Sequence, residues 1–205
     1  MALMQRQCRS PPPFVFTPLI CYTLPMKILV IGDTHGKLNK LRDIWPKLTD
    51  IDLIAHTGDH FSDALRIEAE FGVPVVAVGG NCDGSGPDRE IIETECGRIL
   101  VTHGHREGVK YDLGNLYYSA LEEECRAVFY GHTHCSSIVE SDGIHFVNPG
   151  SLSLPRDNKS GSYAIVRTAE DSFDASIVYY DTVMGKSRGP TSGFLKSIIN
   201  YSDRF

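Results

Sequence analysis

Five short apolar runs in this chain each lead into a glycine flanked by a side chain able to bind a metal. No other feature constrains the fold as tightly. The runs are 27–31 (KILVI), 51–55 (IDLIA), 75–78 (VVAV), 98–102 (RILVT) and 127–130 (AVFY). They lead into Gly32-Asp33-Thr34-His35-Gly36, Gly58-Asp59, Gly80-Asn81, His103-Gly104-His105 and Gly131-His132-Thr133-His134. Short apolar runs bounded by turn residues read as buried strands. Ligands of open α/β sheets bind at the carboxyl ends of strands, so the five loops are expected to converge on one crevice.

Between the runs, Leu38, Leu41, Ile44, Trp45 and Leu48 recur at helical spacing and predict a helix over 38–48. Further helices are expected at 62–71 and 114–124. Strands 90–95 and 98–102 should pair through a turn at Cys96-Gly97. The Asp142-Gly143 dipeptide predicts a hairpin between 136–140 and 144–147. A second hairpin, 162–168 with 172–180, should turn over 169–171. Helix-linked strands followed by hairpins describe a mixed α/β (α+β) chain with two stacked mixed β-sheets flanked by helices.

In extended backbone, residues two apart point the same way, so Asp33 with His35, and His132 with His134, are expected to reach one centre together. The glycines are expected to let the chain turn sharply and to leave room above a metal. Carboxylate, imidazole and amide donors together suit Mn, Fe, Zn, Co or Ni better than Ca. A single Asp-x-His or His-x-His is a weak signal. Five such junctions in order are not explained by turn chemistry.

Through GDTHG (32–36), TGDH (57–60), GGNCD (79–83), THGH (102–105), GHTH (131–134) and NPGS (148–151), the chain resembles the calcineurin-like metallophosphoesterase superfamily. It is most similar to the small YfcE-type phosphodiesterases, over about residues 26–180. The resemblance implies a four-layer αββα sandwich and two divalent metal ions, manganese first among them. One ion would be held by Asp33, His35, Asp59 and His134, the other by Asp59, Asn81, His103 and His132. Two such ions, about 3.5–4 Å apart, lower the pKa of a shared water and stabilise the phosphoryl transition state. The implied activity is hydrolysis of a small phosphodiester. The alternatives are a phosphomonoesterase or nucleotidase on the same site, or a protein-binding scaffold like the retromer subunit of this fold.

Larger superfamily members carry a histidine after Gly-Asn, whereas here Cys82 is followed by Asp83. Cys82 is read as a small packed residue. His105 and Asp83 are left as catalytic candidates, His105 for substrate contact or proton donation. Phosphodiesters with good leaving groups should therefore be cleaved fastest. His56 and His145 are read as packing residues, His60 as a neighbour of the ligands, and Asn148-Pro149-Gly150-Ser151 as a turn. Arg106, Lys110, Arg156 and Lys159 stand out as loop cations for a substrate phosphate.

A net charge of −6 gives no reason to expect a nucleic-acid surface. No apolar run reaches the roughly 20 residues that span a bilayer. Six cysteines without a CxxC pair point to reduced thiols and a cytoplasmic protein. Five prolines break residues 1–25, expected to be a disordered extension or an upstream start ahead of Met26. The domain is placed at 26–182, followed by a linker and tail over 183–205. In that tail Phe194, Leu195, Ile198, Ile199 and Tyr201 could form an apolar helical face that docks on the chain itself or builds a homo-oligomer.

Overall fold

The computed structural model describes residues 25–157 and 160–185. The expectations for 1–24, for Lys159 and for the tail beyond 185 lie outside the described residues. The strands are β1 (Met26–Ile31), β2 (Leu53–His56), β3 (Val75–Ala77), β4 (Arg89–Thr94), β5 (Gly97–Thr102), β6 (Cys125–Phe129), β7 (Ser136–Ser141), β8 (Ile144–Pro149), β9 (Ser162–Ala169) and β10 (Ser172–Tyr179). The helices are α1 (Asn39–Ile44), α2 (Ser62–Phe71), α3 (Gly114–Glu122) and α4 (Tyr180–Val183).

Two five-stranded sheets form, in the orders β10-β9-β1-β2-β3 and β4-β5-β6-β8-β7. Both are mixed. β1, β2 and β3 run parallel while β9 and β10 are antiparallel additions. β5, β6 and β8 run parallel between the antiparallel edge strands β4 and β7. The KILVI run of β1 shows no polar alternation because both of its faces are covered. Ile28 and Val30 join Leu53, Ile99, Phe129 and Val147 in the layer between the sheets. Leu29 and Ile31 face the other way, onto Leu41, Ile44 and Ile67 of α1 and α2. A third cluster packs Leu116 and Ala120 of α3 on Leu100, Val128 and Phe146. The layers are therefore helix, sheet, sheet, helix, as the resemblance implies. Phe129 is fully buried at the centre, and truncation to Ala should cost about 3–5 kcal/mol.

Several boundaries differ from the expectations. The helix predicted over 38–48 ends at Ile44 and tightens into a 3-10 turn at Trp45–Lys47. Pro46 supplies no N–H for an α-helical turn. The strand predicted at 51–55 becomes Leu53–His56, because Asp52 Oδ2 instead accepts the Lys27 amide at 2.7 Å. The β4–β5 turn falls one residue early, with Thr94 opposite Gly97. Tyr180 opens α4 rather than closing β10, and Val183 and Met184 pack on the core. Asp142 and Gly143 take φ of 50° and 80°, the left-handed pair a tight hairpin needs. Among the described residues no helix is long and apolar enough to cross a membrane.

Candidate metal centre

β1, β2 and β3 end on the same side as β5 and β6, which brings all five junctions together. The backbone there is not extended. Asp33, His35, Asp59, His132 and His134 have φ of 50°, 48°, 54°, 69° and 58°, all left-handed. Only four other non-glycine residues among those described do so: Asp50, His60, Glu124 and Asp142. Each such residue stores on the order of 1–3 kcal/mol of strain, typical of sites where geometry outranks stability. Asp33 and His35 reach one centre together as expected, though not through extended backbone, whereas the expectation that His132 and His134 do so is corrected. His134 turns toward His35, their Nε2 atoms 3.4 Å apart, while the His132 ring lies 5.0 Å from that of His103.

Two nests result. Asp33, His35, Asp59 and His134 offer ligand atoms all within 4.8 Å of one another. Beside them, His103 Nε2 lies 3.1 Å from Asn81 Oδ1 and 3.4 Å from Asp59 Oδ1. The other oxygen, Asp59 Oδ2, lies 3.5 Å from His35 Nε2. One carboxylate therefore faces both groups, and the His132 ring lies beside the second, 5.0 Å from that of His103.

The proton positions show what fits between these atoms. Burial lowers the pKa of both His103 and His134, favouring neutral rings. His103 Nδ1 lies 2.8 Å from Thr57 O and His134 Nδ1 2.7 Å from Leu154 O. A carbonyl only accepts, so Nδ1 carries the proton in each ring and Nε2 is left with a lone pair. That lone pair points at Asn81 and Asp59 oxygens in one nest, and at Asp33 Oδ1, 3.4 Å away, in the other. Asp33 Oδ1 is buried without a hydrogen-bond donor. Acceptors aimed at acceptors repel unless a cation lies between them, and divalent ions fit this donor set.

Electrostatics agree. Burial, then the neighbouring Asp59, push the Asp33 carboxyl well above its ordinary range. Burial also opposes ionisation of Asp59, but the Cys82 amide and His103 outweigh it and hold its pKa below the usual value. His132 is pushed down to about 4 by burial, then by His103 and Lys110. Neutral imidazole is the metal-binding form.

The preceding glycines work mainly by close approach. Gly80 needs no left-handed φ, but a Cβ there would lie 2.2 Å from Asp59 Oδ1. One on Gly131 would lie 3.0 Å from Asp33 Oδ2. The expected role in turning the chain holds at Gly58, with φ of 98°.

Behind the ligand loops lies a buried polar chain that the sequence reading missed. The Gly58 amide donates to His56 Nδ1 at 3.3 Å, and His56 Nε2 meets Thr34 Oγ1 at 3.0 Å. Thr34 donates to Asp63 Oδ2 at 2.8 Å, where the Gly36 amide also donates. Arg66 closes the chain on Asp63 Oδ1 at 2.8 Å. His56 thus fastens the Asp33 loop to the Asp59 loop. The 148–151 segment does more than turn: Asn148 donates to Gly131 O, and Ser151 and Ser153 both donate to Asp33 O at 2.9 Å. Its position at the end of β8 obeys the same strand-end rule and was the available signal.

The catalytic candidates separate. His105 sits by the second nest, its ring 5.3 Å from that of His103 and 6.1 Å from that of His132, with Nδ1 buried and unpartnered. Asp83 is a brace. Its oxygens accept the amides of His60, Phe61 and Gly80 at 3.1, 2.9 and 2.8 Å. Cys82 is exposed on the cleft, not packed as expected. Burial, then Asp59, raise its thiol pKa. His60 is exposed, and His145 stacks on Phe173 at 4.6 Å. Of the loop cations, Lys110 and Arg156 line the cleft, whereas Arg106 is tied to Asp88 at 2.8 Å.

A two-sheet sandwich with this donor set at its strand ends defines a metal-dependent hydrolase of phosphoesters. Residues 26–171 match the calcineurin-like phosphoesterase superfamily domain, and the chain belongs to that family. It is 35% identical over 159 residues to the probable metallophosphoesterase YsnB of Bacillus subtilis, covering 76% of this chain and 91% of that protein. It is 32% identical over 174 residues to the phosphodiesterase YfcE of Escherichia coli K12, covering 69% and 87%. A predicted phosphoesterase from Streptococcus pneumoniae superposes with a TM-score of 0.65 at 29% identity, covering 77% of this chain and 91% of that one.

Proposed function

We propose that this chain is a dinuclear metal-dependent phosphodiesterase. The observation that carries the reading is Asp59, whose Oδ2 and Oδ1 face His35 and His103 at 3.5 and 3.4 Å. Asp33, His35, Asp59 and His134 would hold one ion, and Asp59, Asn81, His103 and His132 the other. Manganese leads, with iron, zinc, nickel or cobalt also suited to these donors. Bound there, the ions supply Lewis acidity toward phosphoryl oxygens and an ionised water as nucleophile.

The protein's own groups set the rest. Asn81 contributes a neutral donor, so its site stays more electrophilic than a third carboxylate would leave it. His105, whose ring lies near that of His132, would touch substrate or hand a proton to the leaving group. Burial, then Asp59, raise the Cys82 thiol pKa, which makes it a poorer proton donor, and Asp83 is committed to backbone amides. Aryl phosphodiesters should therefore react faster than alkyl ones. The name of the Escherichia coli relative supports diesters over monoesters. A small phosphoester suits a cleft of about 140 Å³. The free thiols Cys82, Cys96, Cys125 and Cys135 accord with a cytoplasmic location. A scaffold with a vestigial site would have lost ligands, whereas all seven positions here hold competent donors.

Metal reconstitution tests the reading. Two metal ions per chain and turnover of bis(p-nitrophenyl) phosphate are expected, with both reduced in Asp59→Asn. A single ion per active chain would overturn the dinuclear assignment.

A further inference from the structure

We propose that Lys110 and Arg156 select phosphoesters whose non-leaving substituent is itself anionic. The inference rests on the phosphodiesterase reading and names the substrate class for that site. Both side chains line the cleft above the nests, and they come from different loops, after β5 and after β8. The Arg156 loop is tied to a ligand loop, and Lys110 belongs to the His103 loop itself. The Arg156 amide donates to His134 O at 3.0 Å, and the Val109 amide, next to Lys110, donates to Gly104 O at 3.2 Å. The two cations are therefore carried on the same frame as the ligands.

Neither is spent on the protein. Arg42, Arg66, Arg89, Arg98, Arg106 and Arg167 each reach a carboxylate. Arg126 donates to Cys96 O. Arg156 is the one arginine among the described residues whose guanidinium makes neither a hydrogen bond nor an ion pair. Lys110 is likewise unpaired. Both charges reach the ligand group: that of Lys110 weighs on His132, that of Arg156 on His134, and both act on Asp33.

Charge balance says what they await. Two divalent ions bring about four positive charges, and Asp33 with Asp59 leave roughly two. A diester anion and an ionised water cancel those, so the scissile phosphoryl group places no demand on Lys110 or Arg156. A carboxylate or phosphate on the other substituent does, and a guanidinium binds either one bidentately.

Three p-nitrophenyl phosphodiesters with one leaving group test this: the second substituent is glycolate, ethyl or choline. The metal-loaded full chain should prefer glycolate over ethyl by about tenfold or more in kcat/KM, with choline poorest. Arg156→Ala should flatten the series to near unity, and Lys110→Ala should flatten it in part. Arg156→Lys should retain part of the preference, since it keeps the charge and loses the fork. A flat wild-type series, or one that Arg156→Ala leaves intact, overturns the proposal. If none of the esters turns over with any metal, the hydrolase reading fails separately. Equilibrium dialysis against the same esters then decides: tighter retention of the glycolate ester by wild type than by Arg156→Ala supports the inference, and equal retention overturns it.

Discussion

The two nests share Asp59 but differ in how far the protein closes around them. In the first, Asp33 is fully buried and His134 nearly so, at 0% and 4% exposure. In the second, His103 is buried, His132 is half-buried and Asn81 is exposed. The first also has two carboxylates, while the second replaces one with an amide. A closed, doubly anionic nest should hold its ion tightly and carry a structural share. An open nest with a neutral donor should bind more weakly and leave its ion free to meet substrate.

The largest effect should fall on what the nests share. Asp59→Asn should lower kcat by about a thousandfold. It should also cut metal content at both positions, which elemental analysis of the purified protein reads directly. If only one position empties, the carboxylate does not bridge.

Next comes the contrast itself. On the proposed assignment, His134→Ala removes a ligand of the closed nest and His132→Ala one of the open nest. The first should abolish tight binding. The second should leave one tightly held ion and weaken the other by about 10–100-fold, in line with the loss of one well-oriented group. Calorimetric metal titration of the two variants measures this. Identical isotherms would remove the asymmetry.

How much of this was legible in the sequence follows from what patterns report. Apolar runs report burial, so the strands and their order along the chain could be read, and helix 62–71 emerged at the expected residues. The Gly-polar junctions report strand ends, so the side chains that gather there could be named. Neither pattern reports φ. The left-handed turns at Asp33, His35, Asp59, His132 and His134 were therefore invisible, and the extended-backbone argument for their pairing was wrong in mechanism. Contacts between loops distant in sequence were hidden for a related reason. His56 reads as one more strand residue until Thr34 and Asp63, 22 residues before and 7 after it, are seen to close on it. Cys82 looked packable by size alone, whereas its place on an exposed turn depends on where Asp83 anchors the loop.

A smaller effect probes the frame behind both nests. Gly80→Ala keeps every ligand, yet its methyl group would fall 2.2 Å from Asp59 Oδ1 and 2.5 Å from the Asp59 amide nitrogen. The oxygen it displaces faces the open nest. Activity should fall by about 10–100-fold while the closed nest keeps its ion, so metal content should drop by one and not two. Loss of both ions would mean that the strain spreads through Asp59 to the whole centre.

The mildest test concerns Asp63, which touches no ligand side chain. Asp63→Asn keeps its size but replaces one oxygen with an NH₂ group that cannot accept hydrogen bonds. Both native oxygens accept: Oδ2 from Thr34 and the Gly36 amide, Oδ1 from Arg66. At least one of those donors loses its partner, and a hydrogen bond to a charged group is worth about 1.5–3 kcal/mol. The Asp33–His35 loop is the one held, so the closed nest should loosen, with metal affinity falling up to about tenfold. His105 and the open nest are anchored elsewhere, and the dependence of rate on leaving-group pKa should not move. A changed leaving-group dependence would show that the polar chain through His56 reaches the open nest as well, and that the two nests are one mechanical unit.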